Sequence, residues 1–254
     1  MQTSTSIAVD IGNSAIKLAL KTADTIDVQS VLIEGDTWPE AVVRWVGSKA
    51  VEQDVVWRIA SVHAQATKQL TDHLNTIAPA ANVHVVTWRD IPMKPEVDEP
   101  DRLGIDRLIT AYAASLHFEP PLIVVDAGSA ITVDWVGSDR RFHGGAILPG
   151  LSMQFGVLAA GTASLPQIDW TNCQPKFPAK NTTDAIFSGV LMGATAGIDR
   201  LIMHYCQCVK VSPEAVPVVL TGGNAPVVSP HLRHNHERID NLVCRGLLRL
   251  RRSR

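Results

Sequence analysis

An acid followed by glycine ends two similar apolar runs that stand about half a chain length apart. The first run reads VDIGNSAIKLAL and the second reads VDAGSAITVDWV, and they match over Val-Asp-x-Gly and Ser-Ala-Ile with one gap. Their aspartates, Asp10 and Asp126, are 116 residues apart in a chain of 254. A repeat at half-length predicts an internal duplication with two similar α/β lobes. A chance match over one short stretch is the alternative.

The order of predicted elements also restarts after Pro120 and Pro121, which argues against chance. The strands predicted before this point are SIAVDIG, AIKLALK, TIDVQSVLIEG, DVVWRIASV and NVHVVTW, with helices TWPEAVVRWVGSKA, AQATKQLTDHLNTIAPA and IDRLITAYAASLHF. After it come strands PLIVVDAG, AITVDWVG, RRFHGGAILPG and VPVVLTGG, with helices LSMQFGVLAAGTASL, TDAIFSGVLMGATAGIDRLIMHYC and NLVCRGLLRL. We therefore predict lobes over residues 1–117 and 118–254.

Composition and charge exclude several classes of protein. Hydrophobic residues make up 46% of the chain and charged residues 19%, which is ordinary for a globular protein. The net charge of −2 gives no general indication of nucleic-acid binding, and we expect the basic end to be a solvated terminus. The arginines of this end are Arg245, Arg249, Arg251, Arg252 and Arg254.

The sequence also predicts a cytoplasmic protein. No run approaches the roughly 18 uninterrupted apolar residues that a membrane span needs, and the start of the chain does not resemble a signal peptide. The four cysteines form neither a C-x-x-C pair nor a zinc spacing, which fits reduced thiols. The histidines of HLRHNHER lack partner ligands at a known spacing, so we expect a solvated polar loop there.

The two acid–glycine turns have the composition of phosphate-binding hairpins. Glycine lets backbone N–H groups approach phosphate oxygens, while Asn13, Ser14 and Lys17 add donors and charge. Asp10 cannot bind phosphate directly and would instead hold hydrated Mg²⁺. A tight turn capped by its own aspartate is the alternative for either hairpin alone. The sequence has neither a P-loop nor a dinucleotide-binding G-x-G-x-x-G, so ATP would bind without those loops.

A third motif, GIDR, places an acid and an arginine at the start of a predicted helix after a proline-rich loop. Helix N-termini attract anions, and a carboxylate beside an alcohol can take its proton during phosphoryl transfer. On the residues alone, a stabilising pair of Asp106 and Arg107 is an equally open interpretation.

These motifs together resemble one family, type III pantothenate kinase, within the acetate and sugar kinase/actin superfamily. DIGNSAIK is similar to its D-x-G-N-[TS]-x-x-K motif, GIDR to G-x-D-R, and DAGSAITVD to D-x-G-T-A-x-T-x-D. GGAILPGLSM is similar to G-G-x-I-x-P-G-x-x-M, and NTTDAIFSG and LTGGNA match weaker late segments. The resemblance extends in order from about Ile7 to Leu248.

The resemblance implies two ribonuclease-H-like lobes with mixed five-stranded sheets and an interlobe cleft. It implies an enzyme that uses ATP to phosphorylate pantothenate, the first step of coenzyme A biosynthesis. Mg²⁺ near Asp10, a monovalent cation (K⁺ or NH₄⁺) at Asp126 and a homodimer are further implications.

The resemblance also assigns roles to individual residues. Asp106 is the implied general base, and Thr182 the implied contact with pantothenate from the neighbouring subunit. The ATP-binding residues that it implies are Asp10, Ile11, Gly12, Asn13, Ser14, Ala15, Ile16, Lys17 and Ser129. The pantothenate-binding residues are Gly104, Ile105, Asp106, Arg107 and Thr182.

Three features stay open at this level. Ser14 and Ser129 stand where the family more often has threonine, and serine keeps the hydroxyl donor. The Gly-Gly and Pro-Gly pairs of GGAILPG either shape a corner or build part of the substrate pocket. The alternative functions are phosphorylation of another small alcohol and a non-catalytic regulatory role on the same fold.

Overall fold

The protein was analysed as a computed structural model that describes residues 6–21, 25–48, 55–170 and 172–250. The arginines at 251, 252 and 254 lie outside the described residues. The chain divides into two compact units, residues 1–117 with 241–254 and residues 118–240.

The first unit is a mixed five-stranded sheet with helices. Its strands are β1 (Ser6–Ile11), β2 (Ala15–Lys21), β3 (Ile26–Leu32), β4 (Val56–Ser61) and β5 (Asn82–Val85). Its helices are α1 (Trp38–Val46), α2 (Ala64–Ile77), α3 (Ile105–Ala114) and, from the end of the chain, α7 (Leu242–Leu247).

The second unit is also a mixed five-stranded sheet with helices. Its strands are β6 (Leu122–Ala127), β7 (Ala130–Val136), β8 (Phe142–Pro149), β9 (Val218–Thr221) and β10 (Glu237–Arg238). Its helices are α4 (Leu151–Ala160), α5 (Thr182–Cys208) and the short α6 (Ala225–Val228).

The two sheets have the same topology. The strand order is β3-β2-β1-β4-β5 in the first unit and β8-β7-β6-β9-β10 in the second. In each sheet the first three strands pair antiparallel, and the remaining two strands run parallel to the first. The predicted fold class of two mixed five-stranded α/β units is therefore confirmed, and the sequence repeat reflects a repeated fold.

The core of the first unit follows from the alternation of its strand residues. Ile7, Val9 and Ile11 point to one face of β1, because successive side chains of a strand point to opposite faces. There they pack with buried side chains of α1 and α2, such as Trp38 and Leu70. Pro39 begins α1, where its missing N–H costs no helical hydrogen bond.

Helix α7 packs against α3 and β1 in the first unit, although the boundary predicted from the sequence left residues 241–254 in the second half. Gly246 allows this packing, because a Cβ at that position would lie 2.6 Å from Cγ2 of Ile109. The apolar face formed by Leu242, Val243 and Leu247 is buried as a result.

Helix α5 supplies much of the core of the second unit. Its Phe187 stacks on Phe155 of α4 with ring centroids 6.0 Å apart. Among the described residues, α5 is the one helix long and apolar enough to cross a membrane by length and composition. Within its most apolar stretch 56% is buried in the fold, which is typical of the core helix of a globular domain.

The HLRHNHER segment is not the solvated loop expected from the sequence. His234 lies 3.0 Å from the buried carboxylate of Asp199, and His236 contacts the Ser229 hydroxyl at 2.7 Å. Glu237 and Arg238 then pair with β9 as an edge strand. The segment closes one edge of the second sheet.

Candidate active site

The first acid–glycine stretch forms a tight hairpin between β1 and β2. The N–H of Gly12 donates to the carbonyl of Ala15 at 3.0 Å, and Asn13 and Ser14 are exposed at the tip. Asp10 stands directly opposite Lys17 in the register, so their side chains share one face of the sheet. A carboxylate and an ammonium group are thus placed beside a turn whose backbone is accessible.

Helix α7 supports the base of this hairpin. The thiol of Cys244 lies 3.6 Å from the carbonyl oxygen of Lys17. Burial, followed by the negative charge of Asp10, raises the pKa of this thiol. Cys244 is therefore a packed, protonated side chain rather than a nucleophile.

The second stretch forms the equivalent hairpin between β6 and β7, one residue shorter as the gap in the sequence match predicts. The N–H of Gly128 donates to the carbonyl of Ala130 at 3.0 Å, and Ser129 is exposed at the tip. Gly150 packs against this turn, because a Cβ there would lie 2.2 Å from the Ser129 carbonyl oxygen. The Pro-Gly corner of GGAILPG therefore contacts the hairpin backbone.

Asp126 occupies a crowded, oxygen-rich position beside the second hairpin. It stands opposite Thr132 in the register, and the Thr132 hydroxyl is buried without a hydrogen-bond partner in the described part of the chain. Gly222, with φ of +99°, approaches so closely that a Cβ would lie 2.4 Å from Oδ1 of Asp126. The carboxylate and the hydroxyl are oxygen groups of the kind that could hold a small cation.

Asp106 lies in the first turn of α3 in the first unit. Its Oδ1 accepts a hydrogen bond from the backbone N–H of Arg107 at 2.9 Å. Burial raises the pKa of Asp106 above the ordinary value of 3.8, and this effect exceeds the lowering by the Arg107 N–H and guanidinium. A half-buried carboxylate with a raised pKa is a suitable proton acceptor.

The glycine of the G-x-D-R motif has a steric reason. Gly104 is the N-cap of α3, and a Cβ there would lie only 2.6 Å from Oδ1 of Asp106. Its φ of −56° is available to any residue, so space and not conformation requires glycine. The motif thus lets the carboxylate fold back over the start of its own helix.

A pocket of about 500 Å³ opens beside this motif within the first unit. Gly104 and Ile105 form part of its wall, and Val62 connects it to the hairpin strand by donating a hydrogen bond to the carbonyl of Ile11 at 3.1 Å. The other lining residues are Ser61, Val86, Thr87, Trp88, Arg89, Pro100, Asp101, Arg102 and Leu103.

The sequence reasoning missed the polar cluster on this pocket. The indole N–H of Trp88 donates to Oδ1 of Asp101 at 2.8 Å, and the guanidinium of Arg89 donates to the same oxygen at 3.1 Å. Arg89 also lies over the Trp88 ring, 4.3 Å from its centroid. The only local signal in the sequence is the pair Trp88-Arg89 after a predicted strand. Such a pair does not by itself indicate a binding site.

Thr182 is exposed in the first turn of α5 in the second unit. The N-cap Asn181 holds this turn, because its side-chain oxygen accepts from the N–H of Asp184 at 2.8 Å. Lys176 contacts the carboxylate of Asp184 at 2.9 Å. Asn181 therefore caps the start of α5.

The predicted site residues are thus distributed over both units. The first unit contains the hairpin of residues 10–17 and the Gly104–Arg107 motif, joined through the pocket wall. The second unit contains Asp126 beside Ser129, and Thr182 at a separate helix start. The described residues contain no group of three or more His, Cys, Asp or Glu side chains arranged to hold a metal ion.

A duplicated α/β unit with an acid–glycine hairpin in each copy, and a half-buried carboxylate at a helix start, are features expected of a protein of the acetate and sugar kinase class. Residues 6–204 match the family model described as type III pantothenate kinase. The chain belongs to the type III pantothenate kinase family.

Individual relatives agree with this membership. A type III pantothenate kinase from Rhodopirellula baltica is 32% identical over 273 residues, covering 96% of this chain and 97% of the relative. One from Rubrobacter xylanophilus is 38% identical over 160 residues, covering 62% and 61%.

Solved structures share the fold. A conserved Baf family protein from Campylobacter jejuni superposes with a TM-score of 0.60 at 23% identity, covering 95% of this chain and 94% of that one. A reductive activator for a corrinoid, iron-sulfur protein superposes with a TM-score of 0.51 at 11% identity, covering 97% and 60%. At these identities the likeness concerns the fold alone.

Proposed function

We propose that this protein transfers the γ-phosphoryl group of ATP to the primary hydroxyl of pantothenate, the first step of coenzyme A biosynthesis. Family membership supports the reaction, and one observation carries it. Asp106, the motif acid, is a half-buried carboxylate with a raised pKa beside a pocket of about 500 Å³. That combination suits an alcohol as the phosphoryl acceptor.

Asp106 is proposed to accept the proton of the attacking hydroxyl. The raised pKa makes the Asp106 carboxylate a stronger base than an exposed aspartate. Phosphoryl transfer needs little covalent assistance, so positioning and charge neutralisation supply most of the catalysis. The hydrogen bond from the backbone N–H of Arg107 fixes the orientation of the Asp106 carboxylate.

The first hairpin is proposed to bind ATP phosphates along Asp10, Ile11, Gly12, Asn13, Ser14, Ala15, Ile16 and Lys17, with a further contact from Ser129. The exposed Asn13 and Ser14 offer donors, and the tight turn exposes backbone N–H groups. Lys17 supplies positive charge near the base of the hairpin. The family's ATP use is the broader support for this assignment.

A magnesium ion bound with ATP would be held through water by Asp10, and it would neutralise charge on the transferring phosphoryl group. In this proposal, water molecules and the nucleotide phosphates would be the direct ligands of the ion. Asp10 is half-buried at the end of β1, a position compatible with this partial ligation.

A monovalent cation, K⁺ or NH₄⁺, is proposed at Asp126, and comparison of the two hairpins supports this. Lys17 opposes Asp10 in the first copy, whereas the equivalent position opposite Asp126 is Thr132. The second hairpin therefore lacks the ammonium group of the first. We propose that a monovalent cation binds there, with the Asp126 carboxylate and the buried Thr132 hydroxyl as oxygen ligands.

The pocket beside Gly104–Arg107 is proposed to bind pantothenate. Pantothenate combines a carboxylate with an apolar gem-dimethyl group, so it needs a mixed lining. Val62, Val86 and Trp88 supply apolar surface, and Arg89 and Arg102 supply cations. Thr182 is proposed to reach the substrate from the neighbouring subunit of a homodimer.

An apolar face of the second unit supports the proposed homodimer. The side chains of Ile147 on edge strand β8 and Val157 on α4 are 64% and 68% exposed. Exposed residues of small or apolar type follow one side of α5 at helical spacing, which suits close helix contact. These residues are Ala185, Gly189, Met192, Gly193, Ala196 and Met203.

A cytoplasmic location is proposed from the reduced cysteines, all four of which are free.

A coupled assay of ADP release tests this function against the alternatives. We expect turnover with pantothenate and ATP, and much less with a panel of sugars, hydroxy acids and amino alcohols. Turnover with another alcohol alone would identify a different phosphotransferase. Absence of turnover with every alcohol, with ATP still bound, would point to a regulatory protein.

A further inference from the structure

A second pocket lies on the first unit and takes no part in the proposed reaction. Its volume is about 380 Å³, within the range of small-molecule sites. It is built from the end of β2, the start of β3, the end of α3 and helix α7. The lining residues are Lys21, Ile26, Tyr112, Ala113, Leu116, His117, Arg245, Leu248 and Arg249.

The charged side chains that line this pocket are all basic. Lys21, Arg245 and Arg249 contribute three cations, His117 is a fourth basic group, and no acidic residue belongs to the described lining. The carboxyl ends of α3 and α7 lie here, and two helix ends together amount to about one negative charge. Lys21 and Arg249 alone exceed that charge by about one, so helix-end stabilisation does not explain both of them.

The same wall has an apolar part. Leu116 and Ile26 are 49% and 39% exposed, and Leu248 is half-buried beside them. Tyr112 adds an aromatic ring that is almost fully buried. A ligand that fills this site therefore combines negative charge with an apolar or aromatic group.

We propose that this pocket is a regulatory site for a small organic anion that carries one or two phosphate groups on an apolar or aromatic body. A concave pocket of about 380 Å³ suits a small molecule better than an extended polymer such as a nucleic acid, which needs a groove along its backbone. The basic end of the chain, which the proposed reaction leaves unused, begins at the wall of this pocket.

The walls of the pocket connect it to the candidate active site. Helix α3 carries Asp106 in its first turn and lines the pocket with Tyr112 and Ala113, six and seven residues further on, a rise of about 10 Å. Helix α7 contacts Ile109 of α3 through Gly246 and the carbonyl of Lys17 through Cys244. A ligand held between α3 and α7 therefore contacts the two elements that support the base and the phosphate hairpin.

Calorimetric titration of the full-length chain with 1-naphthyl phosphate tests the site directly, with inorganic phosphate and 1-naphthol as charge-only and apolar-only probes. We expect 1-naphthyl phosphate to bind more tightly than either. Lys21→Ser and Arg249→Ser should each weaken it about tenfold, the effect of losing one charged hydrogen bond. Arg44→Ser, which removes an exposed arginine of α1, should leave binding unchanged.

Equal affinity in the two pocket variants and the wild type, with their thermal unfolding unchanged, would overturn the site. Tighter binding of a single-stranded oligonucleotide with the same dependence on Lys21 and Arg249 would overturn the ligand class. The regulatory effect rests on the proposed function, and unchanged turnover at saturating probe would overturn that part alone. A chain that binds the probe but never phosphorylates pantothenate would refute the proposed function and leave the binding site standing.

Discussion

Asp106 is the residue on which the proposed chemistry depends most. Burial raises its pKa, so the folded protein holds its proton to higher pH than the unfolded chain does. Its ionisation therefore destabilises the fold, and this effect grows as pH rises from the ordinary value of 3.8 through the raised folded value. In the proposed mechanism, the same burial that lowers the free energy of unfolding at neutral pH makes the Asp106 carboxylate a stronger base.

We expect Asp106→Asn to lower kcat by about 10²- to 10⁴-fold, the usual contribution of a general base. The melting temperature of the variant should equal or exceed that of the wild type at pH 7, because no buried charge forms. This difference should shrink as pH falls towards 4. Activity across pH, together with thermal unfolding of both proteins, checks the prediction, and a variant that lost stability in proportion to activity would indicate a structural role.

Gly104 tests the position of the same carboxylate. A Cβ at this site would lie 2.6 Å from Oδ1 of Asp106, so Gly104→Ala must displace the carboxylate. We expect kcat to fall about 10- to 100-fold with a small change in melting temperature, because misplacement of about 1 Å has effects of this order. Steady-state kinetics beside Gly156→Ala, where a Cβ meets nothing within 4 Å, provides the comparison. Equal kinetics for the two variants would contradict the steric explanation of the motif.

The motif residues could be predicted because each lies in a short contiguous pattern. Asp106 and Gly104 belong to one helix start, so a single local sequence specifies both. Trp88 and Arg89 could not be predicted, since only the folded path of the chain brings them to the pocket of Gly104. The cradle at Gly222 was missed for the same reason, because it reaches Asp126 from another strand.

At the scale of elements, the two hairpins have diverged from a common pattern. Both are tight turns after an aspartate, yet Lys17 opposes Asp10 while Thr132 opposes Asp126. This difference supports our proposal that the first copy binds phosphate and the second binds a monovalent cation. The strands of both copies could be predicted because they contain short apolar runs, and in β1 and β6 these runs end at an acid–glycine turn.

Thr132→Val tests the cation assignment, because valine keeps the shape of threonine and removes the buried hydroxyl. We expect the K⁺ concentration for half-maximal activity to rise about tenfold, consistent with loss of one hydrogen-bond-strength ligand contact to a charge. Stability should not fall, since the hydroxyl has no partner within the described residues. The matched control is Thr195→Val, a buried threonine of α5. An unchanged K⁺ dependence for Thr132→Val would refute a role of this hydroxyl as a ligand.

The shortest helix and strand could not be predicted from the sequence. The two-residue strand β10 and the four-residue helix α6 carry too few residues for a periodic pattern to appear. His234 also looked like a loop residue, because its partner Asp199 is distant in sequence and becomes its neighbour only through folding. Longer elements such as α5 could be predicted, since the spacing of their apolar residues extends over several helical turns.

At the scale of the whole molecule, the repeated sheet topology explains how one chain provides two equivalent hairpins, for which we propose different ligands. The last helix returns to the first unit, where it supports both the hairpin and the proposed regulatory pocket. The apolar face of the second unit remains exposed in one copy of the chain. A second copy would cover that face.

Gly189→Arg tests this dimer, because a Cβ there meets nothing within 4 Å of its own chain. We expect the variant to stay folded and to become monomeric, and its KM for pantothenate to rise more than tenfold if Thr182 acts across the interface. Sedimentation velocity with parallel kinetics checks this, with Asn75→Arg on the exposed side of α2 as control. A wild-type chain that sediments as a monomer would contradict the homodimer.

The most direct test of the proposed function is the rate of phosphopantothenate formation by the purified wild-type protein with pantothenate, MgATP and K⁺. We predict steady turnover, on the order of 1–100 s⁻¹ for a kinase, that is lost in Asp106→Asn and falls when Na⁺ replaces K⁺. Wild-type protein that binds ATP but forms no phosphopantothenate under these conditions would contradict the assignment.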